Sequence, residues 1–275
     1  MADNPDLTTA FKFTFLVERF YAGLTSLPEA ADVESGLGGK LLYAGELDTG
    51  ARALLVAANI AGAASLTASA DVAAQKQAMR DGVVDFLVNS LDEALRILKN
   101  EIRKRQTVAV CVGLEPEVAE REMVERGVRP DLLRPDAPDG PERAAFLSQG
   151  ALPVEFAAPE ESLALMTFHV DSAPAIWMPK LDAIAVACLR EDPSPDAWSA
   201  RRWLLLGARF MGRLAQGVRV VNCAPQTARL FLARVQLAVE HGEIGVPVWM
   251  SFNRGDESVL IHPSPPGTPE RVDEY

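Results

Sequence analysis

The sequence predicts an α/β fold: a doubly wound parallel sheet of the Rossmann-like kind, with an N-terminal helix and a more helical C-terminal part. Three observations predict it. Short apolar runs alternate with stretches of helical period between positions 40 and 133. Capping residues and glycines punctuate the joins, and each interval between strands is long enough for a crossover helix. Successive βαβ units of this kind form a parallel sheet covered on both faces, with right-handed crossovers.

Each element has its own reason. In FKFTFLVERFYAGL, within residues 7–24, Phe11, Phe15 and Leu16 recur at helical spacing and predict a helix ending near Gly23. Turn formers in PEAADVESGLGG lead into a strand over Lys40–Ala44. Helices are expected over Ala51–Ala61 and Val72–Arg80, and strands over Ala64–Ser69 and Val83–Val88. Ser90 and Glu93 make a capping box, after which Leu91, Leu95, Leu98 and Ile102 form one apolar stripe. Thr107–Val112 reads as a buried strand. Pro116 opens a helix that Gly127 ends, and Val128–Leu133 resumes as a strand.

Residues 134–162 are rich in Pro, Gly and acids and are expected to be a long connecting loop. Leu163–Val170 and Ile184–Cys188 fit a strand or a buried helix, which periodicity does not separate. Trp198–Gln216 and Pro225–Glu240 read as long helices, and the tail HPSPPGTPERVDEY, with four prolines, as extended. The expected organisation is an N-terminal helical segment (1–37), the Rossmann-like domain (38–134), a connecting loop (135–162), a helical C-terminal part (163–260) and a tail (261–275).

Composition bounds the partners. The chain of 275 residues is 48% apolar and can bury a sizeable core, with no run long enough for a membrane-spanning helix. Its acidic start, MADNPDLTTAFK, does not read as a secretory signal. A formal charge of −11 would repel a phosphate backbone, so nucleic acid is not an expected partner. The three cysteines form no CxxC pair, which argues against a disulfide framework and a zinc site; the three histidines are too far apart to ligate a metal from one element. A reducing cytoplasm is the expected compartment.

GGKLLYAG, IAGAASL, SLDEALRILKN and VERGVRPDLL, in this order and at these intervals, resemble the NAD-binding domain of the urocanase family over about residues 38–134. The resemblance implies a homodimeric lyase in which tightly bound NAD acts as an electrophile while water adds to urocanate. It places the pyrophosphate on the turn after the first strand, with Gly45 and Gly50 as flexible points, and the adenosine ribose on Asp71.

The chain departs from the family pattern at that turn. It reads GELDTG where the family has GLGGMGG, so Glu46, Leu47 and Asp48 stand where glycines let the backbone approach phosphate. A carboxylate about 4 Å from a phosphate charge is repelled by roughly 4 kcal/mol at an effective dielectric of about 20. GLEPEV and RPDAPDG likewise replace the family's GNAADV and TDQTSAHD, and the family's TYETF segment and glycine-rich cysteine region have no counterpart.

A doubly wound sheet binds ligands at the carboxyl ends of its strands, which gathers Gly45, Gly50, Asp71, Asn89, Gly113 and the loop from Arg134 as candidate cofactor-binding positions. Gly45 and Gly50 fit a phosphate cradle or a plain βα turn, and Asp71 a ribose acceptor or a helix N-cap. Cys223, just before a helix start, is a candidate nucleophile or a small buried apolar residue. His169 is a candidate acid–base group or a structural histidine, and strand alternation argues against a dyad with Asp171. Arg202, Arg209 and Arg213, with Arg201 and Arg219, make a basic stretch that suits an anion, a self-association surface or solvent.

Three functions fit these residues: a urocanase-like protein with a degenerate NAD site, acting in binding or assembly as a homodimer; an active NAD-dependent lyase; or a sensor of a small anionic ligand.

Overall fold

The computed structural model describes residues 5–27, 35–136, 138–155, 163–194, 197–211, 217–252 and 257–263. Two compact units emerge, the first from described residues up to 155 together with 202–211, the second from the described residues within 163–201 and 217–263. The fold is α/β with a doubly wound parallel sheet. In the first unit α1 (Pro5–Thr25) precedes β1 (Leu41–Glu46), α2 (Thr49–Ala61), β2 (Ala64–Ala68), α3 (Val72–Arg80), β3 (Phe86–Val88) and α4 (Leu91–Arg103). Then come β4 (Ala109–Val112), α5 (Pro116–Glu125), β5 (Leu132–Leu133), α6 (Pro141–Ser148) and β6 (Leu152–Pro153).

The six strands are all parallel, in the order β3-β4-β2-β1-β5-β6. With right-handed crossovers, α2 and α3 cover one face and α4, α5 and α6 the other. Packing follows this division. Leu41, Tyr43, Leu66, Val110, Val112 and Leu133 turn one side chain each into a core closed by Leu91, Ala94 and Leu98 of α4, Ala119 and Met123 of α5 and Phe146 of α6. On the other face α2 is buried nearly all round, because α1 packs along its outer side, and that is why it is built of alanine, leucine and valine.

The helices after β1, β2 and β3 start where the sequence sets their caps. Asp48 caps α2, Asp71 caps α3 and Ser90 caps α4. The strands β2 to β5 are shorter than their apolar runs predict, because backbone groups at the ends go elsewhere. Val83 and Val84 send their amides to Ala78, closing α3, so the strand begins only at Phe86. Val128 donates to Met123 at the end of α5, which leaves Leu132 and Leu133 for the sheet.

The expected loop over 134–162 is corrected within its described residues. PERAAFLS forms α6, with Pro141 in its first turn, and Leu152–Pro153 pairs with β5 as an edge strand. Residues 156–162 lie outside the described set.

In the second unit Leu163–Val170 yields β7 (Ala164–His169), whereas Ile184–Cys188 lies inside α7 (Pro174–Glu191). The helix α8 (Ala197–Met211) contributes its residues from Arg202 onward to the first unit. Next come β8 (Val218–Cys223), α9 (Pro225–Glu240), β9 (Val248–Phe252) and β10 (Glu257–Ile261). These strands form a four-stranded antiparallel sheet, β10-β9-β7-β8, which the sequence reading did not contain. The helices α7 and α9 pack together, and Phe231 of α9 meets Phe168 of β7 with ring centroids 4.9 Å apart. Of the expected tail over 261–275, residues 261–263 are described, and Ile261 belongs to β10. Among the described residues no helix is long and apolar enough to cross a membrane.

Candidate functional site

Strand order fixes where a crevice opens. The chain leaves β1 toward α2 on one face and β5 toward α6 on the other, so the carboxyl ends of these two neighbours diverge. Gly45 lies in the bulge between Tyr43 and Glu46, with φ +69° and no atom within 4 Å of where a Cβ would stand. Its carbonyl accepts from Thr67 Oγ1 at 2.8 Å. Glu46 then points to solvent and Leu47 is buried.

Asp48 holds the first turn of α2. Its Oδ1 accepts from the Ala51 amide at 2.8 Å and from Arg134 Nη1, also at 2.8 Å. Arg134 stands just past β5 with its side chain only 10% exposed. The other edge of its guanidinium meets Asp136, Nε to Oδ1 at 2.6 Å and Nη2 to Oδ2 at 2.9 Å. That bidentate contact holds the Asp136 carboxyl below its ordinary range and raises the Arg134 guanidinium above its own. Arg143 fixes the segment from behind, donating from Nη1 to the Arg134 carbonyl at 2.8 Å. Gly50 lets the guanidinium lie close on α2, since a Cβ there would come within 2.9 Å of Arg134 Nη2.

Asp71, Asn89 and Gly113 collect at the same end of the sheet, past β2, β3 and β4. Asp71 accepts from the Ala73 and Ala74 amides at 2.7 and 3.2 Å, so its Oδ1 serves as the α3 cap. Gln75 donates to the Ser69 carbonyl at 2.6 Å, and the Asn89 amide donates to Glu93 Oε2 at 3.1 Å. A Cβ on Gly113 would be 3.5 Å from Gln75 Nε2 and 3.8 Å from Asn89 Oδ1, which brings these three side by side.

Tyr43 is buried and its hydroxyl makes no hydrogen bond of ordinary geometry; after burial, the Glu120 carboxyl is the charge that acts on it most. Burial pushes both groups upward, the phenol and the acid alike.

His169 and Cys223 belong to the second unit and sit at opposite ends of the β7–β8 pair, His169 against Val218 and Ala164 against Cys223. The Cys223 thiol is buried, and desolvation pushes it up to about 12, the opposite of the depression a helix start alone would give. The expected separation of His169 from Asp171 is corrected. The strand ends at His169, and Asp171, two residues on, brings Oδ1 to 3.5 Å from Nδ1. The imidazole also stacks on Trp249 at 4.9 Å between centroids.

Burial depresses the His169 imidazole below its ordinary value, against the opposing pull of Asp171. The unfolded chain therefore takes up a proton near pH 6.5 that the fold refuses until lower pH. Stability should fall as pH drops below about 6.5, by at most about 1.4 kcal/mol per pH unit from this group. Urea unfolding at several pH values between 7 and 5 should show a shallower loss for His169→Gln than for the wild type. An unchanged slope would contradict this assignment.

Of the basic stretch, Arg202 donates from Nε to the Ile60 carbonyl at 2.7 Å and thereby caps the end of α2. Arg209 lies over Phe210, 5.1 Å from its centroid, and Arg213 lies outside the described residues.

Sequence reasoning gathered the strand-end positions but missed the Asp48–Arg134 bridge. The available signal was local: an acid three residues before Ala51 is a helix cap, and an arginine directly past β5 reaches the same rim. For chemistry the bridge has a direct consequence. A diphosphate on α2 would meet a carboxylate that already holds an amide, and a guanidinium already neutralised by two acids.

The family model of the urocanase Rossmann-like domain matches residues 21–138, from the last turns of α1 to just past Arg134 and Asp136. The match falls on the parallel sheet of the first unit, which is thus similar to that domain.

Proposed function

We propose that this chain is a urocanase-related protein whose dinucleotide site has eroded, and that it works by binding or assembly, as a homodimer, without NAD-dependent hydration. NAD is the cofactor associated with a domain of this kind. Its pyrophosphate does not fit the residues present. The observation that carries the reading is Asp48, whose carboxylate takes both the first-turn amide of α2 and the Arg134 guanidinium.

Glu46 supports the same reading, since it adds a solvent-facing carboxylate to the turn. Leu47, buried beside it, supplies bulk where a close backbone approach to phosphate needs none. An active lyase would need NAD held elsewhere. A small-anion sensor would need the basic stretch of α8, in which Arg202 already serves the end of α2.

Urocanate turnover in the presence of added NAD, together with native mass spectrometry, tests the proposal. The expected result is no loss of urocanate absorbance and a mass of two chains. Hydration at a rate proportional to protein would overturn the catalytic half, and a single-chain mass the assembly half.

A further inference from the structure

We infer that Asp48 is the residue that closes the β1–β5 crevice to phosphates, its carboxylate standing in for a phosphate oxygen and Arg134 serving as its counter-ion. This rests on the eroded-site reading and names the side chain responsible. One oxygen, Asp48 Oδ1, accepts from a helix amide and from a guanidinium, each at 2.8 Å. Those two donor types, a first-turn N–H and a planar arginine fork, are the ones that hold phosphate at helix starts.

The surroundings show that the arginine is placed for this position. Its side chain is nine-tenths buried, it lies against Gly50 where any Cβ would crowd it, and Arg143 fixes its backbone. Asp136 holds the far edge of the guanidinium through Nε and Nη2, leaving Nη1 to face Asp48 and, at 3.4 Å, the Glu46 carbonyl. Removing the Asp48 carboxylate therefore frees Arg134 Nη1 toward the start of α2. It also removes one of the negative charges that repel an anion there.

Asp48→Ser tests this, because serine keeps an N-cap acceptor while losing the charge. Asp48→Asn is the second variant, in case the first folds poorly, and the midpoint of thermal unfolding checks both. Inorganic pyrophosphate is titrated by calorimetry at fixed ionic strength. The variant should bind at least about ten-fold more tightly than the wild type, a gain worth one lost charge contact, and Arg134→Gln in the Asp48→Ser background should abolish that gain. Equal affinity in wild type and in folded Asp48 variants would overturn the inference, as would a gain that survives loss of Arg134. Wild-type protein that carries NAD would instead sink the eroded-site reading, so the two failures are distinguishable.

Discussion

Arg219→Ala should destabilise the second unit by about 3–5 kcal/mol, the cost of leaving a buried charge without its partner. Arg219 of β8 reaches Asp182 of α7 through Nε at 3.1 Å to Oδ1 and Nη2 at 2.9 Å to Oδ2, and its Nη1 donates to the Val218 carbonyl at 2.9 Å. The two side chains are 9% and 17% exposed, so little solvent reaches the pair. Burial already raises the Asp182 carboxyl, with Arg219 holding it down.

Without the arginine that carboxyl rises further. A raised acid makes the fold take up protons the unfolded chain does not, so the variant regains stability as pH falls through the new value. Urea unfolding at pH 7 and pH 5 should show the deficit shrinking at the lower pH. The double variant Arg219→Met, Asp182→Leu should recover most of the loss, since apolar replacement of a buried pair is often neutral. A deficit under about 1 kcal/mol would show that the pair contributes little.

Gly62→Ala should cost roughly 2–6 kcal/mol, the sum of left-handed backbone strain and overpacking. Gly62 ends α2 with φ +101°, and its amide donates to Ala58 O at 2.8 Å. A Cβ there would lie 2.3 Å from the Ser35 carbonyl oxygen and 2.9 Å from Arg202 Nη2. The first of these is a backbone atom and cannot swing aside. Gly45→Ala is the control. Its φ is +69° but no atom stands within 4 Å, so it should pay only the conformational cost of roughly 1–2 kcal/mol. Thermal unfolding of the two variants side by side checks the contrast, and equal losses would contradict it.

The parallel sheet was legible because its signals are local. Asp48, Asp71 and Ser90 sit before apolar helices, Gly62 sits after one, and β1, β2 and β4 are short apolar runs between them. Strand ends were not, since whether Val83 joins a strand or closes α3 depends on where its amide finds an acceptor. Pro179 hid the extent of α7, being a residue that usually interrupts a helix. The second sheet pairs β7 with β8 and β9, whose paired residues lie about 50 or more positions away, and no local period carries such information.

The candidate site divides in the same way. Gly45, Gly50, Asp71, Asn89 and Gly113 reach the carboxyl ends of the strands because topology alone puts them there. The bridge that decides the crevice's chemistry joins residues 86 positions apart, and only folding brings them together. The acidic residues of the turn and Arg134 were visible in the sequence, but the pairing of Arg134 with Asp48, which makes the arrangement self-contained, was not.

The most direct measurement is the nicotinamide content of the protein as purified, read in the supernatant after denaturation. The account predicts none above background, because Asp48 and Arg134 already satisfy each other where a dinucleotide's phosphates would lie. One nicotinamide dinucleotide released per chain would contradict it.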